Sequence, residues 1–307
     1  MTQTHNPSRP MFVARSAAAA IAVFVAGSIA CGQSNLSEPV YRVANDTAAA
    51  EQTTATASVP ITAPASDALF DFTQQPNEHP LAPVLRALTT SQEIIDQNIR
   101  DYSCTFVKRE RVDGELGEFQ HILLRVAHQP FSVYMSFLRP YAGREVVYVA
   151  GQNDNKMVVL EAGFKRYLGK LSLDPQGTVA MNGQKHPITD VGIRNLIGKL
   201  IKIWEAETQF AECEVTTNAD TKINGRSTTM VQIVHPVPRQ NFRAHIQRLF
   251  FDNELRIPVH YDVYLWPAQP GSEPPLDESY TYSNLKINNG FTARDFDAYN
   301  NPEIFKQ

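Results

Sequence analysis

The spacing of apolar residues along the chain divides it into two helical stretches set among strands. From Leu81 to Ile99, Leu81, Val84, Leu85, Leu88, Ile94 and Ile95 recur every three or four positions, which predicts an amphipathic helix. From Tyr102 onward the period is two. The runs "YSCTFVKRERV", "EFQHILLRVAH", "FSVYMSFL", "REVVYVAG" and "KMVVLEA" are separated by "DGELG", "QP", "RPYAG" and "QNDN", all turn chemistry, and so predict an antiparallel meander. Arg166 to Leu173 and Thr178 to Met181 read as two further strands.

A second helix follows, with Thr189 or Asp190 as its cap. Ile193, Leu196, Ile197, Leu200, Ile201 and Trp204 share one face, and Arg194, Lys199 and Lys202 the other. Strands resume at Phe210 to Thr217, Thr221 to Asn224, Thr228 to His235, Phe242 to Phe251, Ile257 to Trp266 and Ser279 to Lys286. Asn182-Gly183 and Asn224-Gly225 suit hairpin turns. Pro267 to Ser279, "PAQPGSEPPLDES", reads as a long exposed loop.

The hairpin from Phe242 to Trp266 can be given a register. With Asp252 to Leu255 as the loop, Phe250 faces Ile257, Ile246 faces Tyr261, Ala244 faces Val263 and Phe242 faces Leu265. One face is then apolar, and the other carries Arg243, His245, Gln247, His260 and Asp262, with His245 opposite Asp262. Phe131, Val133, Met135 and Phe137 divide in the same way from Ser132, Tyr134 and Ser136. The expected result is a broad curved sheet with an apolar concavity. Either the helices and large side chains fill it, or it is partly open to an apolar ligand.

Ahead of the first helix the pattern is different. Arg9 and Arg15 precede an uncharged, mostly apolar stretch from Ser16 to Ala30, the length of a secretory core and too short to span a bilayer. Residues 1–30 therefore read as a signal peptide. Ser28-Ile29-Ala30 suits an ordinary signal peptidase, and Cys31 suits lipoprotein processing with lipidation at that residue; both readings stand. Residues 31–79, rich in Thr, Ala, Ser and Pro, have the composition of a disordered tether. Residues 80–307 are then one folded domain.

Cys104 and Cys213 are the other cysteines, and in an oxidising compartment they form one disulfide or remain two buried thiols. No C-x-x-C or His-x-x-His spacing points to a metal, and no motif calls for a cofactor. A net charge of -4 argues against a nucleic-acid partner. The one basic run, "KRERV" from Lys108 to Val112, reads as a solvated strand face.

The text "QPFSVYMSFLRPYAGREVVYVAGQNDNKMVVLEAG", Gln129 to Gly163, together with the order helix, meander, inserted helix and strands, resembles the outer-membrane lipoprotein carrier and receptor fold of the LolA and LolB type. "FTARDFDAYNNPEIF", Phe291 to Phe305, with "DYSCTFVKRER", resembles a family of exported bacterial proteins of unknown function. The resemblance implies a mainly β, α+β fold: a curved antiparallel half-barrel sheet with an N-terminal helix and an inserted lid-like helix. It also implies a periplasmic or outer-membrane, non-catalytic protein that binds a lipid or a lipoprotein acyl chain. Phe131, Val133, Met135, Phe137, Ile246, Phe250, Tyr261 and Val263 would line the trough, and Leu196, Leu200 and Trp204 would come from the lid. The carrier family also holds an arginine inside its cavity that latches the closed lid; Arg139 and Arg144 both lie near the comparable turn, and the role is assigned to neither.

Two other readings compete. A scaffold would use a sheet edge or the Pro267 to Ser279 loop to hold another protein. A hydrolase would use His245 with Asp262, because a carboxylate can orient an imidazole for general-base work.

Overall fold

The computed structural model describes residues 41–43 and 70–305, apart from residue 211. The expected signal peptide, Cys31 and most of the expected tether lie outside the described residues. The strands are β1 (Tyr41–Val43), β2 (Asp101–Val112), β3 (Glu115–Leu116), β4 (Gln120–His128), β5 (Phe131–Arg139), β6 (Glu145–Val149), β7 (Met157–Leu160), β8 (Lys170–Leu173), β9 (Glu214–Ile223), β10 (Arg226–Val234), β11 (Ile246–Asp252), β12 (Pro258–Tyr264) and β13 (Leu276–Ile287). The helices are α1 (Ala82–Asn98), α2 (Thr178–Met181) and α3 (Ile193–Glu207).

All the strands join one antiparallel sheet in the order β1-β9-β10-β11-β12-β13-β2-β4-β5-β6-β7-β8, with β3 paired to β2. Two meanders, β2 to β8 and β9 to β13, meet where β13 pairs with β2. Bulges at Thr228/Met230, Phe250/Phe251, Val263/Tyr264, Ser283/Lys286 and His121/Ile122 bend the sheet and increase its twist. It is an open, curved sheet of the mainly β, α+β class.

The helices fill much of the concave face. Leu81, Val84, Leu88 and Ile95 of α1 and its entry, with Ile193, Ile197, Leu200 and Trp204 of α3, share one core with Phe106, Ile122, Val133, Leu249, Tyr261 and Val263 of the sheet. α1 and α3 also pack on each other. On the opposite face, Phe296, Ala298, Ile304 and Phe305 of the C-terminal segment cover Tyr134, Val147, Val158 and Leu160. Packing begins ahead of residue 80. Phe70 and Phe72 lie against Phe251 with ring centroids 4.8 and 5.7 Å away, and Tyr41–Val43 pair with Thr221–Ile223.

Several elements differ from expectation for identifiable reasons. The stretch expected as a strand from Arg166 opens as a 3-10 turn, Gly163–Leu168, bounded by Gly163 and Gly169 at φ 56° and 73°. Thr178–Met181 is a helical turn closed by the Met181 N–H on the Gly177 carbonyl at 3.0 Å, and so is not a strand. Asn182-Gly183 therefore joins no hairpin, whereas Asn224-Gly225, both at positive φ, turns β9 into β10. Phe210 lies outside β9, which runs unbroken from Glu214 to Ile223. β13 starts at Leu276, inside the expected loop.

Neither Thr189 nor Asp190 caps α3. Its first N–H, that of Ile193, donates to the Tyr102 hydroxyl of β2 at 3.0 Å. The N-cap is Gly192 at φ 110°, where a Cβ would come within 3.0 Å of that same hydroxyl.

The hairpin register is also revised. Beyond the bulge, Ile246 pairs with Tyr264, Arg248 with Asp262, Leu249 with Tyr261 and Phe250 with His260. The loop lies one residue further on than expected, held by Asp252 accepting from the Glu254 and Leu255 N–H groups at 3.0 and 2.8 Å. That displacement alone moves the pairing by two and preserves the faces. The bulge at Phe250/Phe251 adds one more step and exchanges them.

Cys104 and Cys213 are free thiols. Cys104 is on β2 and Cys213 leads into β9, five strand-to-strand steps away along the sheet order. At the usual strand spacing this is roughly 24 Å measured along the curved sheet, and the two thiols are not bonded to each other.

Candidate functional site

One cavity of about 300 Å³ opens between the concave face, α3 and the connection that runs from β8 through α2. Its apolar wall is built by strand parity: Phe106 on β2, Met135 and Phe137 on β5, Val146 on β6, Met157 and Val159 on β7 and Tyr282 on β13 all point inward. Leu196 and Leu200 of α3 face them across the space.

The opposite wall carries charge, and the β2–β13 register explains why. Phe106 pairs with Tyr282, Lys108 with Tyr280 and Glu110 with Glu278. The last pair sets two buried carboxylates side by side on one face, and each needs its own cations. Glu110 takes Lys108 Nζ at 2.9 Å, the Tyr280 hydroxyl at 2.7 Å and the Lys185 N–H at 3.2 Å. Burial pushes its carboxyl upward, but the Lys108 charge and these hydrogen bonds outweigh burial and leave it below the usual range. Glu278 meets Lys185 at 3.3 Å, His186 at 3.1 Å, and Arg243. Burial opposes its ionisation too, yet the His186 hydrogen bond and the neighbouring Arg243 and Lys185 cations hold its carboxyl far below the ordinary range. Tyr280 is buried beside both carboxylates, so its phenol stays protonated and donates.

At the rim, Lys199 lies 2.8 Å from His186 Nδ1 and 3.3 Å from Asp190. Arg144 pairs with Glu161 at 2.8 Å and lies 4.3 Å over the Tyr141 ring. The site is thus an apolar pocket beside a wall of satisfied charges, which suits a molecule with a greasy part and a polar end.

Of the residues expected to line a trough, Met135, Phe137, Tyr261, Leu196 and Leu200 line this cavity. Val133, Val263 and Trp204 are wholly buried in the packed core, and Phe131 is half-buried against it. Ile246 and Phe250 belong to the other face, a consequence of the revised register; Phe250 packs edge-on to His260 with centroids 5.0 Å apart. Gln247, expected on the wet side, is buried on the core face and accepts from the Tyr261 hydroxyl at 2.6 Å and from Trp204 Nε1 at 3.3 Å. Lys108 and Glu110 are not a solvated face. They share the parity of Cys104 and Phe106 along β2, the signal that could have placed them inside.

The proposed His245–Asp262 dyad is not formed. His245 Nδ1 lies 2.9 Å from the His235 carbonyl, while Asp262 is met at 3.0 Å by His260 of its own strand. His260 in turn reaches the Thr281 hydroxyl at 2.7 Å. This is an acid, imidazole and hydroxyl in series, but all three side chains are at most 1 % exposed and none lines the cavity. Among the described residues, no cluster of three or more His, Cys, Asp or Glu is placed to hold a metal ion, and no helix is long and apolar enough to cross a membrane.

Among the solved structures similar to the chain are these three. A putative outer membrane lipoprotein-sorting protein domain from Vibrio parahaemolyticus is 12% identical over 69% of this chain and 95% of its own, with a TM-score of 0.33. The lipoprotein LppX of Mycobacterium tuberculosis is 15% identical over 67% and 98%, with a TM-score of 0.37. A LolA superfamily protein from Nitrosomonas europaea is 8% identical over 68% and 97%, with a TM-score of 0.28. At such scores the likeness is a loose correspondence of elements, and the strand order and register establish the fold class. No curated protein sequence matches the chain. The family match is direct: residues 99–305, from the end of α1 through the whole sheet to the C-terminal segment, place the chain in the DUF1571 family, proteins of unknown function.

Proposed function

We propose that this chain is an exported, non-catalytic binder of an amphiphile, a lipid or lipoprotein whose acyl chain enters the cavity while its polar end stays at the charged wall. The carrying observation is the cavity of about 300 Å³ with Phe106, Met135, Phe137, Val146, Met157 and Val159 on one side and ion-paired Lys108, Glu110 and Glu278 on the other. Burying each methylene contributes roughly 0.8 kcal/mol, so an apolar pocket of this kind holds a chain without directional chemistry. α3 and α2 form the lid side, and release follows their movement off the sheet. Hydrolysis is disfavoured because the His260–Asp262–Thr281 series is sealed from solvent.

The test is titration of purified protein, prepared without detergent, with a fluorescent fatty-acid probe. Ala180 is half-buried and lines the cavity, so Ala180→Trp projects an indole into it. Displacing about two methylenes lowers affinity roughly tenfold, with an unchanged melting temperature. Equal affinity in the variant, or no probe binding by the parent protein, overturns the reading.

A further inference from the structure

The four most exposed large apolar side chains among the described residues are Tyr167 at 89 %, Phe164 at 88 %, Val179 at 72 % and Leu168 at 66 %. All four belong to two short segments, the Gly163–Leu168 turn and α2. A soluble surface leaves single apolar residues scattered, so a cluster of this kind marks a contact.

Its position gives it a meaning. Lys165 of the turn and Val179 of α2 both line the cavity, so the cluster rims that cavity's opening. Its shape is prebuilt. Gly163 and Gly169 bracket the turn at positive φ, Arg166 donates to the Gly143 carbonyl at 2.8 Å, and Lys170 donates to the Ala298 carbonyl at 2.5 Å. The Phe164 and Tyr167 rings meet edge to face with centroids 6.0 Å apart, outside the cavity and without filling it.

The charge identifies the partner. Between Glu161 and Asp174 the chain carries Lys165, Arg166 and Lys170 and no acidic residue. Arg166 also faces Glu145 at 3.8 Å, and Lys170 is turned to the Ala298 carbonyl and the Phe305 ring, so Lys165, exposed and lining the cavity, is the cation at the rim. Aromatic rings with a polar edge, an aliphatic side chain and an adjacent cation form the composition that settles at the headgroup level of an anionic bilayer. We propose that the Gly163–Leu168 turn, with Val179, docks the mouth of the cavity on an anionic lipid bilayer. This builds on the amphiphile-binding reading of the cavity and names the surface from which its ligand comes and goes. An acyl chain then passes between bilayer and cavity without crossing water, which would otherwise oppose transfer in proportion to its length.

The experiment uses residues 36–307, which hold the whole described sheet and both hydrophobic clusters and leave out the apolar signal segment. Sedimentation with vesicles of phosphatidylcholine and phosphatidylglycerol is compared with vesicles of phosphatidylcholine alone. Retention on the anionic vesicles is expected. The triple variant Phe164→Ser, Tyr167→Ser, Leu168→Ser should lower partitioning by roughly tenfold or more. Lys165→Glu should lower it about fivefold or more, and only on anionic vesicles. All four positions are exposed, so melting temperatures should match the parent's.

Fatty-acid probe titration in solution separates the two proposals. A triple variant that binds probe normally but leaves the vesicles supports docking with the cavity intact. Vesicle binding lost in the triple variant, in a protein that never binds probe, supports docking and removes the cavity reading. Docking is overturned by a parent that ignores anionic vesicles, or by a triple variant that partitions as the parent does. A concentration-dependent dimer that the triple variant abolishes, without vesicle binding, also overturns it and assigns the patch to a second copy.

Discussion

Glu207, on the last turn of α3, is buried to 3 % exposure, and the nearest imidazole, that of His235, is 3.6 Å away. Burial raises its carboxyl to about 7 against the countering influence of Arg243. A raised folded pKa means that the native state holds the proton more tightly than the unfolded chain does. Its contribution is therefore fully present below the unfolded value of 4.5 and is lost as pH rises through 7. The difference of about 2.5 pH units corresponds to about 3 kcal/mol of native stability removed at alkaline pH. Glu207→Gln keeps the shape and cannot ionise. Urea unfolding at pH 8 should find the variant more stable than the parent by about 2 to 3 kcal/mol, with the gap shrinking to less than about 1 kcal/mol at pH 5. His235, whose burial lowers its pKa, acts in the opposite sense, losing stability as pH falls below its unfolded value. At pH 8 its imidazole is neutral in both proteins, so the gap there reports Glu207. A gap that does not change with pH, or a variant less stable than the parent at pH 8, refutes the reasoning.

Two further outcomes follow from the buried groups. Unfolding without reductant in the presence of an alkylating agent should label both Cys104 and Cys213, and mass analysis finding them joined refutes the free-thiol state. Lys108→Met strands Glu110 beside Glu278 and should cost about 3 kcal/mol; adding Glu110→Leu should recover a large part of that, so strictly additive losses in a urea-unfolding cycle would refute mutual dependence of the pair.

What the sequence alone determined is the two long helices and most of the strands. The 3.6-residue period of Leu81 to Ile99 and of Ile193 to Trp204 defines α1 and α3, and the period of two defines the strands of both meanders, because one buried face is enough to fix these local patterns. The turn Asn224-Gly225 was legible for the same local reason. The sheet decided the rest. Whether Phe250 faces the core or the outside depends on one bulge, and a bulge arises from the twist of neighbouring strands, which no local period records. Lys108 and Glu110 look like a solvated face until β13 places Tyr280 and Glu278 opposite them and the chain before α3 supplies Lys185 and His186. The α3 cap comes from Tyr102, ninety-one residues away in sequence. Patterning of single segments therefore determined which residues alternate. Only pairing between distant segments decided which alternate face closes on the core, which opens on the cavity, and that the two segments carrying the four most exposed apolar side chains both reach its wall.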